Sequence, residues 1–243
     1  MSEKYEKQVY LAMLAEQCNR YEDMMAFLEE MVKTKTEDLS SDERNLLSIA
    51  YKNTISLDRQ AIRTLLAYES KEAKKAESPY LEYIREYKAK VQKELEDLCN
   101  KINATIDNNL LPKATTDEAK VFYHKMKGDY YRYIAENVEG DTKKKYSDLG
   151  LASYNAALDA AKNIDYKNPI KLGLALNLSV FYYEVVGNKE EACKLAQETL
   201  DKSKEALTGA DDEEEEVKDA MSIINLLQEN LSMWKIEEDG GDA

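Results

Sequence analysis

The chain has 243 residues, enough for a sizeable core in one large domain or two small ones. Its 48 Asp and Glu against 34 Lys and Arg give a net charge of −14, which argues against bulk attraction to nucleic acid or anionic lipid. Eight glycines and three prolines leave little material for the turns of an all-β fold, whereas Ala, Leu, Glu and Lys, all strong helix formers, are abundant, so the chain reads as all-α.

The opening MSEKYEKQVYLAMLAEQCNR has no apolar core bounded by a cleavage site, and no apolar run reaches the roughly 20 residues of a membrane span. A soluble, intracellular protein is expected. Helices are expected near 3–20 and 22–35, then over 41–75, started by the capping box Ser40-Ser41-Asp42-Glu43. Ser78-Pro79 reads as a cap before a proline at the first position of a helix over 79–111. A second capping box, Thr115-Thr116-Asp117-Glu118, opens 117–139, and Gly140-Asp141 precedes 142–164. Asn168-Pro169 opens 169–186, and Gly187-Asn188, with Glu191 three residues on, ends that helix and caps 189–206. Gly209 to Asp211 mark the last joint before 212–236, where the acidic run DDEEEE at 211–216 offsets the helix macrodipole.

Nine antiparallel helices in short-looped pairs imply a curved, cup-like stack of hairpins with one core, a single domain over 1–236, and a short disordered acidic tail over 237–243. Cys18, Cys99 and Cys193 are far apart with no CxxC spacing, and read as buried or half-buried thiols without disulfide or metal roles.

The segment KVFYHKMKGDYYRYIAEN, 120–137, crowds cations and aromatics into one helix. Such a mixture can be a nucleic-acid platform, a helix with a tyrosine-rich buried side, or a site for one anion. Residues at i, i+4, i+7 and i+11 fall within a narrow arc of a helix. On that spacing one helix carries Lys52, Ser56, Arg59 and Arg63, and another carries Lys125, Asp129, Arg132 and Glu136 with Tyr133 beside them. Two apolar helices carry Gly173, Asn177, Val180 and Glu184, and Asp219, Ile223, Leu226 and Asn230 followed by Met233 and Trp234. A groove with one charged and one apolar wall suits an extended peptide bearing a phosphate, gripped by guanidinium groups and a phenol, its backbone held by Asn amides. The same stripes also fit solvated faces laced with i,i+4 pairs, in which Asp58 and Asp129 would serve. Asn177, inside LGLALNLSVFYY, needs a partner in so apolar a helix.

RNLLSIAYKN (44–53), VFYHKMKGDYYRYIAE (121–136), LGLALNLSVFYYE (172–184) and LLQENLSMW (226–234) closely resemble, in order and spacing, the signature segments of 14-3-3 proteins. That family is itself an established example of phospho-motif recognition by an Arg cluster. The resemblance implies a nine-helix protomer, a cup-shaped dimer, and one groove per protomer for partners phosphorylated on Ser or Thr. By motif, Lys52, Arg59, Arg132 and Tyr133 would hold the phosphate, with Lys125 nearby and Arg63 in support. Asn177 and Asn230 would hold the ligand backbone, Glu184 would help position it, and Leu176, Val180, Ile223, Leu226 and Trp234 would form the apolar wall. Dimerisation through the N-terminal helices would use Leu14, Arg20 and Asp23 against Tyr87, Lys90 and Glu94, with Arg20–Glu94 and Asp23–Lys90 as cross-protomer ion pairs.

Six positions depart from the family pattern, among them Ser56, where the family has a glycine. Asp58 stands where the family has an arginine, removing one cation near the phosphate end, and Ile62 stands where it has a tryptophan. Ala61 replaces a serine whose phosphorylation opposes dimerisation, and Ser222 replaces an apolar residue near the groove wall. His124, commonly leucine, reads as a packing substitution.

The implied protein is an adaptor of the cytoplasm, with the nucleus also open to it, forming a homodimer or a heterodimer with a paralogue. No cofactor, metal, nucleic acid or membrane is expected to bind. One histidine, no clustered metal ligands and no Gly-rich phosphate loop leave an enzyme without an evident apparatus. A tetratricopeptide-like scaffold binding peptides independently of phosphorylation is the alternative, although no 34-residue period recurs.

Overall fold

Nine α-helices and no strand are found among the described residues, 3–210 and 214–240, of a computed structural model of the chain. They are α1 (Glu3–Gln17), α2 (Tyr21–Thr34), α3 (Ser41–Ala73), α4 (Leu81–Thr105), α5 (Asp117–Ala135), α6 (Gly140–Ala160), α7 (Pro169–Phe181), α8 (Lys189–Ala206) and α9 (Glu215–Gly240). A wider π turn, Ile106–Leu110, extends α4, and another, Tyr182–Val186, extends α7. The expected helix over 212–236 therefore begins later and runs on through residue 240, four residues into the expected tail. Asp211 to Glu213 of the acidic run, and residues 241–243 of that tail, lie outside the described residues.

Caps explain most of the starts. Ser40 Oγ accepts from the Glu43 amide at 3.2 Å while Glu43 Oε2 accepts from the Ser40 amide at 2.7 Å, the reciprocal box expected for α3. Thr116 caps α5 alone: its hydroxyl accepts from Ala119, three residues on, so no box forms. Glu118 instead accepts from Asn168 Nδ2 at 2.9 Å, while Asn168 Oδ1 caps α7 at Ile170 with Pro169 in the first turn. One asparagine thus satisfies the start of α7 and ties it to the start of α5. Gly187 takes the left-handed conformation, φ 73°, that closes the π turn, and Asn188 caps α8 through Glu191.

The Ser78 cap is a correction. Pro79 and Tyr80 form a turn instead of a first helical turn, α4 begins at Leu81, and the Ser78 hydroxyl donates to Glu72 Oε2 at 2.6 Å.

The described residues form two compact units. The first comprises those within Met1–Thr115 and Asn137–Lys143; the second, those within Thr116–Glu136 and Lys144–Ala243. In the first, α2 buries Met24, Leu28, Met31 and Val32, α3 buries Leu47, Tyr51, Ile55 and Ile62, and α4 buries Val91, Leu95, Cys99 and Ile102. The helical spacing of these apolar residues on each helix turns one stripe toward a shared core. Lys113 closes the end of α2 by donating to the carbonyls of Val32 (3.0 Å) and Lys35 (2.5 Å), which no helical amide reaches.

In the second unit Leu172, Ala192, Ala196, Leu200, Ala220, Ile224, Leu227, Leu231 and Trp234 make a continuous core for α7, α8 and α9. Small residues on α8 let the neighbouring helices come close. Tyr123, Tyr154 and Phe181 fill the space among α5, α6 and α7. Along 120–137, Val121, Tyr123, Met126 and Tyr130 are buried, whereas Phe122 is half-buried. Cys99 is buried and Cys193 half-buried as expected, but Cys18 is exposed because it falls in the turn after α1.

Candidate functional site

In the second unit the site is built on α5. Its stripe at Lys125, Asp129, Arg132 and Glu136 contains both i,i+4 pairs of a laced helix face, Lys125 Nζ–Asp129 Oδ2 at 3.0 Å and Arg132 Nη1–Glu136 Oε1 at 2.8 Å. The face is not solvated, however: Asp129 and Arg132 are each only 8 % exposed. Buried charges of this kind need full hydrogen bonding, and Asp129 receives it. Tyr154 donates to Oδ1 at 2.6 Å, and Asn177 donates to both oxygens at 2.8 and 2.9 Å. The Arg132 guanidinium lies 3.8 Å from Oδ1 and stacks 4.7 Å from the centre of the Tyr133 ring.

Electrostatics follow this geometry. Burial pushes the Asp129 carboxyl up, but Lys125 and Arg132 outweigh it and hold the group below the usual carboxylate range. Burial and the Asp129 charge push the Tyr154 phenol well up, so it remains a donor. Burial alone would lower Arg132, but Tyr154, Asp129, Tyr133 and Glu136 raise it well above its ordinary value. The guanidinium is therefore charged and fixed.

Two features of this cluster were not anticipated. Asn177 finds its partner in Asp129, and Tyr154 on α6 reaches the same carboxylate. Gly128 makes the second contact possible: a Cβ there would sit 2.7 Å from Tyr154 Cε1, so only glycine admits the ring against α5. Gly128 beside Asp129 was the available signal, since a glycine inside a strong helix costs about 1 kcal/mol and needs a packing reason.

The apolar positions lie where α7 and α9 meet. Leu176, Val180 and Ile223 are half-buried against the core of the unit, Asn230 is half-buried on α9, and Leu226 and Glu184 are exposed. Ser222 is exposed and bonds back to the Lys218 carbonyl. Trp234 is a correction. It is 2 % exposed and stacked at 4.6 Å on Tyr183, so it belongs to the core beneath these positions and offers a ligand no surface. The Tyr183 hydroxyl, bonded to Glu237 Oε2 at 2.5 Å, holds that stack in place.

In the first unit α3 carries Lys52 and Arg63 exposed and Arg59 half-buried. Asp58 is half-buried, and burial, then Glu94 of α4 and Glu22 of α2, push its carboxyl above the ordinary range. Its electrostatic neighbours are therefore acids on the α2–α4 side. Ile62, in the position of a larger family residue, is fully buried. Leu14 is 44 % and Tyr87 57 % exposed, and Tyr83 of α4 and Tyr80 in the turn before it are exposed as well. Arg20 pairs with Asp23, and Lys90 with Glu94 at 3.8 Å, each within one segment of the chain.

Among the described residues no helix is long and apolar enough to cross a membrane, and no group of three or more His, Cys, Asp or Glu could hold a metal ion. A model of the family described as 14-3-3 protein matches residues 11–235. The chain belongs to the 14-3-3 family. It is 44 % identical over 246 residues to 14-3-3 protein 8 of Solanum lycopersicum, covering 100 % of this chain and 93 % of that protein. It is 43 % identical over 242 residues to a 14-3-3-like protein of Oenothera elata subsp. hookeri, covering 98 % and 92 %. It is 44 % identical over 236 residues to the checkpoint signal transducer rad25 of Schizosaccharomyces pombe, covering 96 % and 86 %. As a 14-3-3 protein, the chain is a non-enzymatic adaptor that binds partners through phosphorylated serine or threonine. Family membership also implies dimerisation.

Proposed function

We propose that Lys52, Arg59, Arg132 and Tyr133 clamp the phosphate, with Lys125 and Arg63 in support. The observation that carries this reading is Arg132: a guanidinium 8 % exposed, stacked on Tyr133 and braced by Asp129 and Glu136. A guanidinium fixed in advance loses little freedom on binding and offers planar paired donors to phosphate oxygens. Its Nε is buried with no hydrogen-bond partner among the described residues. Lys125 and Arg132 are balanced by Asp129 and Glu136, so a phosphate of charge near −2 needs cations beyond this pair.

In this reading Asn177, Asn230 and Glu184 position the ligand backbone, while Leu176, Val180, Ile223 and Leu226 receive its apolar side chains. Protomers pair through Leu14 and Tyr87, as a homodimer or with a paralogue, and Arg20 and Asp23 exchange their local pairing for Glu94 and Lys90 across the interface. Such ion pairs set register more than affinity. A dimer with two grooves holds two phosphosites of one partner through effective concentration. In this reading the adaptor works in the cytoplasm, with the nucleus also open to it, without nucleic acid or membrane as a partner.

Fluorescence anisotropy tests the reading with a phosphoserine peptide and its unphosphorylated twin. Only the first should bind, and Arg132→Ala or Arg59→Ala should cost about 2–5 kcal/mol of affinity. Lys52→Glu, at an exposed position, tests the same cluster with little risk to folding. Equal affinities for the two peptides would sink the proposal.

A further inference from the structure

Ser78, released from capping α4, has a different chemistry available. The three prolines of the chain follow Ser78, Leu111 and Asn168, so Ser78-Pro79 is its one hydroxyl–proline dipeptide. It lies in the turn between α3 and α4, where residues 74–77, Pro79 and Tyr80 are exposed. Proline disfavours a helical backbone at the residue before it and removes an amide donor, which keeps the segment irregular and open to capture in an extended form. One side-chain bond ties Ser78 to α3: its hydroxyl donates to Glu72 Oε2 at 2.6 Å, and Lys75 Nζ sits 2.6 Å from Glu72 Oε1. The same oxygen of Ser78 accepts from the Tyr80 amide at 3.3 Å.

We propose that Ser78 is a phosphorylation site for a proline-directed serine/threonine kinase, and that its modification releases the α3–α4 turn from the end of α3. In the reaction Ser78 Oγ attacks the γ-phosphorus of ATP, the bond to the β,γ-bridging oxygen breaks, ADP leaves, and the hydroxyl proton passes to the general base of the kinase. The product has no O–H to give Glu72 and carries a charge of about −1.5 to −2. That anion would face a carboxylate at hydrogen-bond distance. Lys75, with Lys71 within electrostatic reach of Glu72, supplies two positive charges against nearly three negative ones. Repulsion and the lost donor act in the same direction, and the turn separates from Glu72. The start of α4 stays helical, because a phosphate near a helix N-terminus is favourable there.

The test incubates the full chain with a purified proline-directed kinase and ATP and maps the product by mass spectrometry. Phosphate should enter at Ser78 and be absent from Ser78→Ala, and Pro79→Ala should slow incorporation about tenfold or more with circular dichroism unchanged. Amide exchange over residues 74–81 should quicken about tenfold on phosphorylation, as a local opening requires. A peptide of residues 71–84, with and without Pro79, repeats the comparison should Pro79→Ala misfold. Labelling of that peptide but not of the folded chain, or equal labelling without Pro79, would overturn the site. Complete labelling with unchanged exchange would overturn the release.

Discussion

Replacing Asp129 with alanine is expected to destabilise the second unit by about 3–5 kcal/mol, the range for breaking a buried ion pair by removing one partner. The carboxylate accepts from Tyr154 at 2.6 Å, from Asn177 at 2.8 and 2.9 Å and from Lys125 at 3.0 Å. Hydrogen bonds to a charged group contribute about 1.5–3 kcal/mol each, but these share one acceptor and their simple sum overshoots. What remains after the substitution is a buried Tyr154 hydroxyl and the Asn177 amide without this acceptor, Lys125 without this carboxylate, and Arg132 with Glu136 as its ion-pair partner. Urea unfolding followed by tryptophan fluorescence reads this unit directly, since Trp234 is the one tryptophan of the chain and lies in its core. Because Asp129 is held below the ordinary carboxylate range, its contribution is present above the unfolded pKa of about 4 and is lost as pH falls through the folded one. The gap between wild type and mutant should therefore stay level from neutral pH down to about 5 and close below about 4. A loss under about 1 kcal/mol at pH 7, or a gap already closing at pH 6, would refute the role given to this carboxylate.

Four further outcomes are expected. Gly128→Ala should destabilise in the same assay by up to about 2 kcal/mol, because overpacking the Tyr154 ring costs about 1–3 kcal/mol against the roughly 1 kcal/mol that alanine gains in a helix; a net gain would contradict the close contact. Ser40→Ala should cost about 1 kcal/mol by opening the α3 capping box, whereas Ser78→Ala, which removes no helix cap, should stay within about 0.5 kcal/mol; denaturant midpoints of the two mutants compare them. Asp58→Asn should stabilise the first unit at pH 7, since burial, Glu94 and Glu22 raise this carboxyl, and the gain should shrink as pH falls through its folded pKa, where the wild-type group already carries a proton. Hydrogen exchange of α3 at pH 7 and pH 4 would show it. Sedimentation at micromolar concentration should find a dimer, and Tyr87→Glu should shift it toward the 27.8 kDa protomer; a wild type that sediments only as that protomer contradicts the pairing.

Fold class and helix order were legible because punctuation in this chain is local chemistry. Ser40 with Glu43, Asn168 with Pro169, and Gly187 with Asn188 each satisfy orphan amides or carbonyls within a few residues, so spacing alone identifies them. Ser78 failed the same logic because a competing acceptor, Glu72, lies six residues back across the turn. The box expected at Thr115 failed because Glu118 is taken by Asn168, which is distant in sequence. In both cases a tertiary partner outbid a local one.

The site divides in the same way. A stripe of Lys125, Asp129, Arg132 and Glu136 is visible from the 3.6-residue period, and so is an amide at Asn177 that must find a partner. Period cannot say whether a charged stripe faces water or the interior, because that depends on what packs over it. Packing decided that Asp129 and Arg132 are buried, that Asn177 and Tyr154 converge on one carboxylate, and that Trp234 lies under Tyr183. From its sequence alone this chain declares an all-helical 14-3-3 adaptor, since caps, periods and motif spacing are short-range. Only the tertiary structure assigns those charges their partners, because desolvation and long-range hydrogen bonds exist once the helices are packed.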